Sequence, residues 1–210
     1  MILPKTSAVD GAYTKGSLEL PRFLPAPAEM QYFGMTFSSD GNYIYYVVTR
    51  KNTSLGVLYQ VPVLGGTPRK LVEDVDAPIA LSPDGSEIAY VRFAPSKGLN
   101  NLIVAKADGS DEHVADSRKT PSRYAYSWFG QSGGPAWSPD GKTIATMATG
   151  GPGSTVWSLV AVPLPSGSEK TISTARWSGS GRAAWLADSS ALIIDAPDQA
   201  SSFSPQLCVK

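Results

Sequence analysis

Cysteine and histidine are almost missing from this chain: Cys208 and His113 are the single examples among 210 residues. One cysteine forbids an intrachain disulfide, and one cysteine with one histidine rules out the usual structural zinc sites. Charge is also scarce, at 17% of residues, with 18 basic against 18 acidic side chains and no net charge. Such a chain lacks the basic stripe that neutralises phosphates, which argues against a nucleic-acid partner. It offers an anionic membrane surface nothing to attract, and no apolar run approaches the ~20 residues that span a bilayer, so no direct membrane insertion is expected. Met1-Ile2-Leu3-Pro4-Lys5 shows no basic region followed by an apolar segment, so no signal peptide is visible. The chain as it stands reads as cytoplasmic, or as extracytoplasmic if it belongs to a membrane-anchored parent.

Sustained helical periodicity is missing as well. What is present is punctuation, 20 glycines and 17 prolines spread along the chain, as many short strands and tight turns require. The punctuation repeats. Phe37-Ser38-Ser39-Asp40-Gly41 returns as Leu81-Ser82-Pro83-Asp84-Gly85 and as Trp137-Ser138-Pro139-Asp140-Gly141, with a worn copy at Trp185-Leu186-Ala187-Asp188-Ser189. The aspartates step by 44 (40 to 84), 56 (84 to 140) and 48 (140 to 188) residues. A four-stranded blade takes roughly 40–45 residues, so each copy fits one blade plus loop insertions.

The motif is a turn in chemical terms. Proline presets φ at the first corner, aspartate accepts a hydrogen bond from the backbone two residues on, and glycine takes positive φ cheaply. Asp40, Gly41, Asp84, Gly85, Asp140, Gly141 and Asp188 are therefore assigned as structural turn residues. β-rich segments leave each turn: Tyr43–Val47, Glu87–Val91 and Thr143–Met147. A second apolar segment follows, at Leu58–Pro62, Leu102–Ala105 and Val156–Val160, and each runs into a further turn and a short closing strand such as Lys70-Leu71-Val72. Two hairpins per unit make a four-stranded antiparallel blade, and the fold class is all-β, a β-propeller.

The Phe/Trp-Ser-Pro-Asp-Gly-x-x-Ile-Ala units resemble the WD-repeat-like repeat of TolB-type propellers. They are more similar still to the C-terminal propellers of bacterial serine/threonine kinases and winged-helix regulators. Met35 through Ala200 carry the resemblance. It implies blades at 33–76, 77–133 (with a long loop) and 134–178, a partial blade and tail at 179–210, and a remnant of a preceding blade at 1–32. Propellers of this kind close with six or more blades, whereas this length holds fewer than five. The expectation is an incomplete propeller with three full blades, whose exposed edges need missing blades, self-association or a partner to cover them. The fourth copy stops after Asp195, and the tail Ser201–Lys210 does not supply two clear outer strands.

Candidate chemistry is thin. Gly130-Gln131-Ser132-Gly133-Gly134 has the G-x-S-x-G spacing of a hydrolase elbow, but that elbow needs a strand before the serine and a helix after it, and a blade strand follows here. The four motif aspartates sit in separate blades, too far apart to share acid–base work. Gly150–Thr155 lacks the Gly-Lys-Ser/Thr ending of a phosphate loop. No catalytic residue, metal site or cofactor is assigned. The excess of the 56-residue step falls between two blades, and its Arg123, Tyr124, Tyr126, Trp128 and Phe129 are of the types that dominate protein interfaces. Arg176 and Trp177 hold the equivalent place one blade later. These seven are the candidate partner-binding residues, for a protein or peptide. The functional expectation is a non-catalytic interaction or sensor module of a kinase-type signalling protein. The rivals are the gating propeller of a prolyl-oligopeptidase-type peptidase and a free-standing TolB-like scaffold.

Overall fold

In a computed structural model the described residues are 29–50, 53, 55–126, 133–150, 154, 156–165, 167–197 and the backbone of 205–209. They form four antiparallel sheets in chain order. The first holds β1 (Met30–Phe37), β2 (Tyr43–Arg50), β3 (Val57–Pro62) and β4 (Arg69–Glu73). The second holds β5 (Ala80–Leu81), β6 (Glu87–Ala94), β7 (Leu99–Lys106) and β8 (His113–Lys119). In the third, β10 (Ala136–Trp137), β11 (Thr143–Thr149), β12 (Trp157–Pro163) and β13 (Lys170–Thr171) are joined by β9 (Arg123–Tyr124), which pairs with the far end of β11. The fourth has three strands, β14 (Arg182–Trp185), β15 (Leu192–Pro197) and β16 (Pro205–Val209).

One detail departs from the sequence reading: β1 begins at Met30, ahead of the expected boundary at residue 33. Among the described residues the tail supplies one outer strand and not two, β16 pairing with β15 from Ile193↔Val209 to Pro197↔Pro205. Proline at the first position of an edge strand removes no needed ladder bond, which is why Pro205 does not prevent pairing.

The middle strands are apolar on both faces because each lies between two neighbours. Along β2, Tyr45 and Val47 enter one cluster with Leu58, Val75, Ile88, Tyr90 and Ile103, which joins the first two sheets. Tyr46 and Val48 enter another with Val61 on the opposite face. Ala89, Val91, Leu102, Trp137, Ile144 and Val160 join the second and third sheets, and Met147, Leu159, Trp177, Leu192 and Ile194 join the third and fourth. The core is thus a stack of sheet-to-sheet layers, as face-packed blades require.

The inner strands converge on Pro78. A Cβ on Gly34 would lie 2.6 Å from Pro78 Cβ, and one on Gly134 would lie 2.8 Å from the Pro78 carbonyl oxygen. Residues 34, 78 and 134 each precede their motif by three positions, so equivalent points of three sheets meet at a hub with no room for side chains.

The motif turns share one geometry. Asp40, Asp84, Asp140 and Asp188 each accept the backbone N–H two residues on, at 3.0–3.1 Å. Ser38, Ser82 and Ser138 each donate Oγ–H to that carboxylate and accept the amide at the start of the next strand. Gly41, Gly85 and Gly141 follow at φ 71°, 73° and 74°, the left-handed region where glycine costs least. In the fourth copy Ser189 takes that conformation at φ 60°. Leu186 cannot donate there, and the Ser190 hydroxyl supplies the bond to Asp188 instead.

Candidate binding site

An antiparallel A–B–C–D sheet places its A–B and C–D turns at one end, and its B–C loop and the connection to the next sheet at the other. The motif aspartates therefore share one end. At the opposite end a cavity of 490 Å³ lies among four segments: Leu55 in the β2–β3 loop, Asp74 and Asp76 in the β4–β5 connection, Phe93 at the end of β6 with Pro95 in the following loop and Asn100 at the start of β7, and Thr120–Ser122 beyond β8 with Arg123 on β9 and Tyr126 after it.

Each wall is fixed by local bonding. Val75 is fully buried and its N–H donates to the Gly56 carbonyl at 3.0 Å, so the chain is pinned between the two aspartates. Gly56 is required by this contact, since a Cβ there would lie 2.0 Å from the Val75 oxygen. Asp76 N–H donates to the Val91 carbonyl at 2.9 Å, and its Oδ2 accepts the Phe93 amide at 2.7 Å. Asp74 sits at φ 60°, a conformation that aspartate tolerates better than most residues. The facing wall is held by the Asn100 side chain, whose Oδ1 accepts the Tyr124 amide at 2.7 Å, and by the pairing of β9 with β11.

Electrostatics single out Asp76. Burial pushes its carboxyl up to about 6, and the nearby Asp74 charge adds to this, while the Phe93 amide and Arg92 oppose it. Arg92 does not neutralise it. That guanidinium is engaged with Glu112 and with the carbonyls of Glu73 and Asp74. No salt bridge among the described residues includes Asp74 or Asp76. Among the described lining residues the one basic side chain, Arg123, stacks 5.5 Å from the Tyr126 ring and 5.7 Å from Trp157, with its Nε buried and without a hydrogen-bond partner.

The interface candidates separate on this geometry. Arg123 and Tyr126 line the cavity. Tyr124 is fully buried, its hydroxyl donating to Asp116 Oδ2 at 2.5 Å under the Arg118 guanidinium, so it braces the core and offers a partner no surface. Trp177 is buried against Trp157, with which it exchanges backbone hydrogen bonds, whereas Arg176 is exposed. Trp128 and Phe129 lie outside the described residues, as do Gly130, Gln131 and Ser132 of the elbow-like spacing. Sequence reasoning missed Leu55, Asp74, Asp76, Phe93 and Asn100, which carry no motif. Asp76, two residues from Asp74 just beyond a closing strand, was the only available signal.

The face-packed sheets define a β-propeller, and solved structures agree with that class. TolB from Acinetobacter baumannii superposes with a TM-score of 0.63 at 14% identity, over 86% of this chain and 41% of its own. A nidogen/laminin complex gives 0.59 at 16% identity, over 83% and 59%. The β-propeller domain of the trilobed protease from Pyrococcus furiosus gives 0.51 at 14% identity, over 86% and 53%. The chain spans less than two thirds of each of these structures, and at such identities the likeness concerns fold alone. No protein-family model and no curated protein matches the sequence.

Proposed function

We propose that this chain is a non-catalytic propeller module that binds a protein or peptide at the end carrying the blade connections. The observation that carries the reading is the cavity itself, a concave, largely apolar site with a few convergent polar groups on a rigid scaffold. Protein binding fits the company of the fold, which includes a nidogen/laminin complex. The motif resemblance to kinase-linked and winged-helix-linked propellers supports a signalling parent, with any catalysis in a separate domain. A propeller of a protease among the similar structures favours the second reading, a gating module for a peptidase. That reading requires an α/β-hydrolase domain encoded beside this one.

Selection of a displayed random-peptide library on the full chain tests the proposal. Recovered peptides are expected to lose at least tenfold affinity for a Phe93→Ala/Tyr126→Ala variant that keeps its thermal transition. Peptides that bind the variant equally well, or a library yielding none, would overturn it.

A further inference from the structure

Asp76 is held at the cavity wall with one backbone hydrogen bond to its carboxylate and, among the described residues, no salt bridge. Val75 is buried between the two aspartates, and the bonds from Asp76 N–H to the Val91 carbonyl and from Phe93 N–H to Asp76 Oδ2 fix the half-buried carboxylate at the cavity wall. A carboxylate desolvated in this way gains most from a cation arriving from outside. The surrounding wall is apolar and aromatic, with Leu55, Phe93, Pro95, Pro121 and Tyr126. Such a wall suits an alkyl stem, and ring faces favour a cationic head. Among the described lining residues the charges sum in the same direction, since Asp74 and Asp76 form no salt bridge there and Arg123 is the one basic side chain. Arg123 Nε is itself enclosed, and its guanidinium lies over the Tyr126 and Trp157 rings.

We propose that the cavity receives a lysine side chain of a partner protein, its stem against Phe93 and Tyr126 and its ammonium on Asp76. This rests on the reading of the cavity as the binding site and names the chemistry that it selects. Among the described residues, the charged groups around Asp76 are Asp74 on its own connection, Arg92 on β6, and Arg123 in the cavity lining. Arg92 is held by Glu112, so protonation of Asp76 is the change that removes the ammonium's acceptor.

The test is an amide NMR titration of the full chain with three probes. They are N-acetyl-lysine-N-methylamide, its norleucine analogue (which lacks the ammonium) and its glutamate analogue (which reverses the charge). The lysine probe is expected to shift the Asp76, Phe93 and Tyr126 amides saturably, at least fivefold more tightly than norleucine. Its affinity should fall severalfold from pH 7.5 to pH 5 and at least fivefold in Asp76→Asn, with the glutamate probe weakest. Equal binding of lysine and norleucine, tighter binding of glutamate, shifts elsewhere in the chain or no saturable shift would each overturn the proposal. The two readings fail separately: cavity-dependent library peptides that lack lysine would sink the lysine assignment and leave the binding module standing.

Discussion

Asp76 carries a cost that its neighbours do not. Its carboxyl is raised from an ordinary 3.8 to about 6 in the folded chain, so the folded state holds the proton more tightly than the unfolded one. The associated stability is fully present below pH 3.8 and is lost as pH rises through 6. Replacing Asp76 with Asn keeps an oxygen for the Phe93 amide and removes the charge. Urea melts should show this variant close to the parent at pH 4 and more stable at pH 8, by roughly 1–3 kcal/mol. The turn aspartates work in the opposite sense. Hydrogen bonds from Ser38, Ser82, Ser138 and Ser190, followed by backbone amides, hold Asp40, Asp84, Asp140 and Asp188 below the usual carboxylate range, Asp84 at about 2. Their stabilisation is present above pH 3.8 and is lost as pH falls through their lowered values. The parent should therefore lose stability between pH 4 and pH 2, and an Asp84→Asn/Asp140→Asn variant should lose less over the same range. Ser138 is buried and bonds both ends of its turn, so Ser138→Ala should cost about 1–2 kcal/mol at pH 7 in the same assay.

Between elements, one ion pair fastens the second sheet to the third. Arg118 on β8 donates through Nε and Nη2 to Glu169, just before β13, and through Nη1 to the Thr149 carbonyl at the end of β11. Its guanidinium lies 5.4 Å from the ring centre of Tyr124, whose hydroxyl burial and the Asp116 bond hold in its protonated form. The first junction repeats the device, with Arg92 over Tyr90, Glu112 taking both, and the guanidinium reaching back to the carbonyls that end β4. Arg118→Ala strands a half-buried carboxylate and should cost roughly 2–3 kcal/mol. A double-mutant cycle with Glu169→Gln should return a coupling of roughly 1–3 kcal/mol, and additivity within 0.3 kcal/mol would show that the pair does not fasten the sheets. The strands themselves were legible in the sequence because Asp-Gly turns and β-branched runs are local chemistry, read within ten residues. These inter-sheet ties were not legible, because Arg118 and Glu169 are separated by 51 positions. β16 was not individually legible for a related reason. It is short, opens on Pro205, and is defined only by pairing with β15.

Across the whole molecule, the sheet number and order followed from the repeat, but the cavity did not. Its walls come from segments between Leu55 and Tyr126, and no single segment has the spacing of a site. Tyr124 shows the same limit from the other side: as a residue type it suits an interface, yet pairing with β11 turns its ring inward. The hub tests how tightly the sheets are set against one another. Gly134→Val would push a branched side chain into the Pro78 backbone, and an overpacking cost of roughly 1–3 kcal/mol is expected in thermal or urea melts. A variant as stable as the parent would mean that the sheets can spread.

The two ends of the sheets differ in what they can be used for. Asp40 and Asp140 sit at exposed turns on the end away from the cavity. A tag attached at either turn would fix the protein to a sensor chip with its cavity facing the flowing sample. Attachment at Thr120, on the cavity rim, would bury that mouth against the chip.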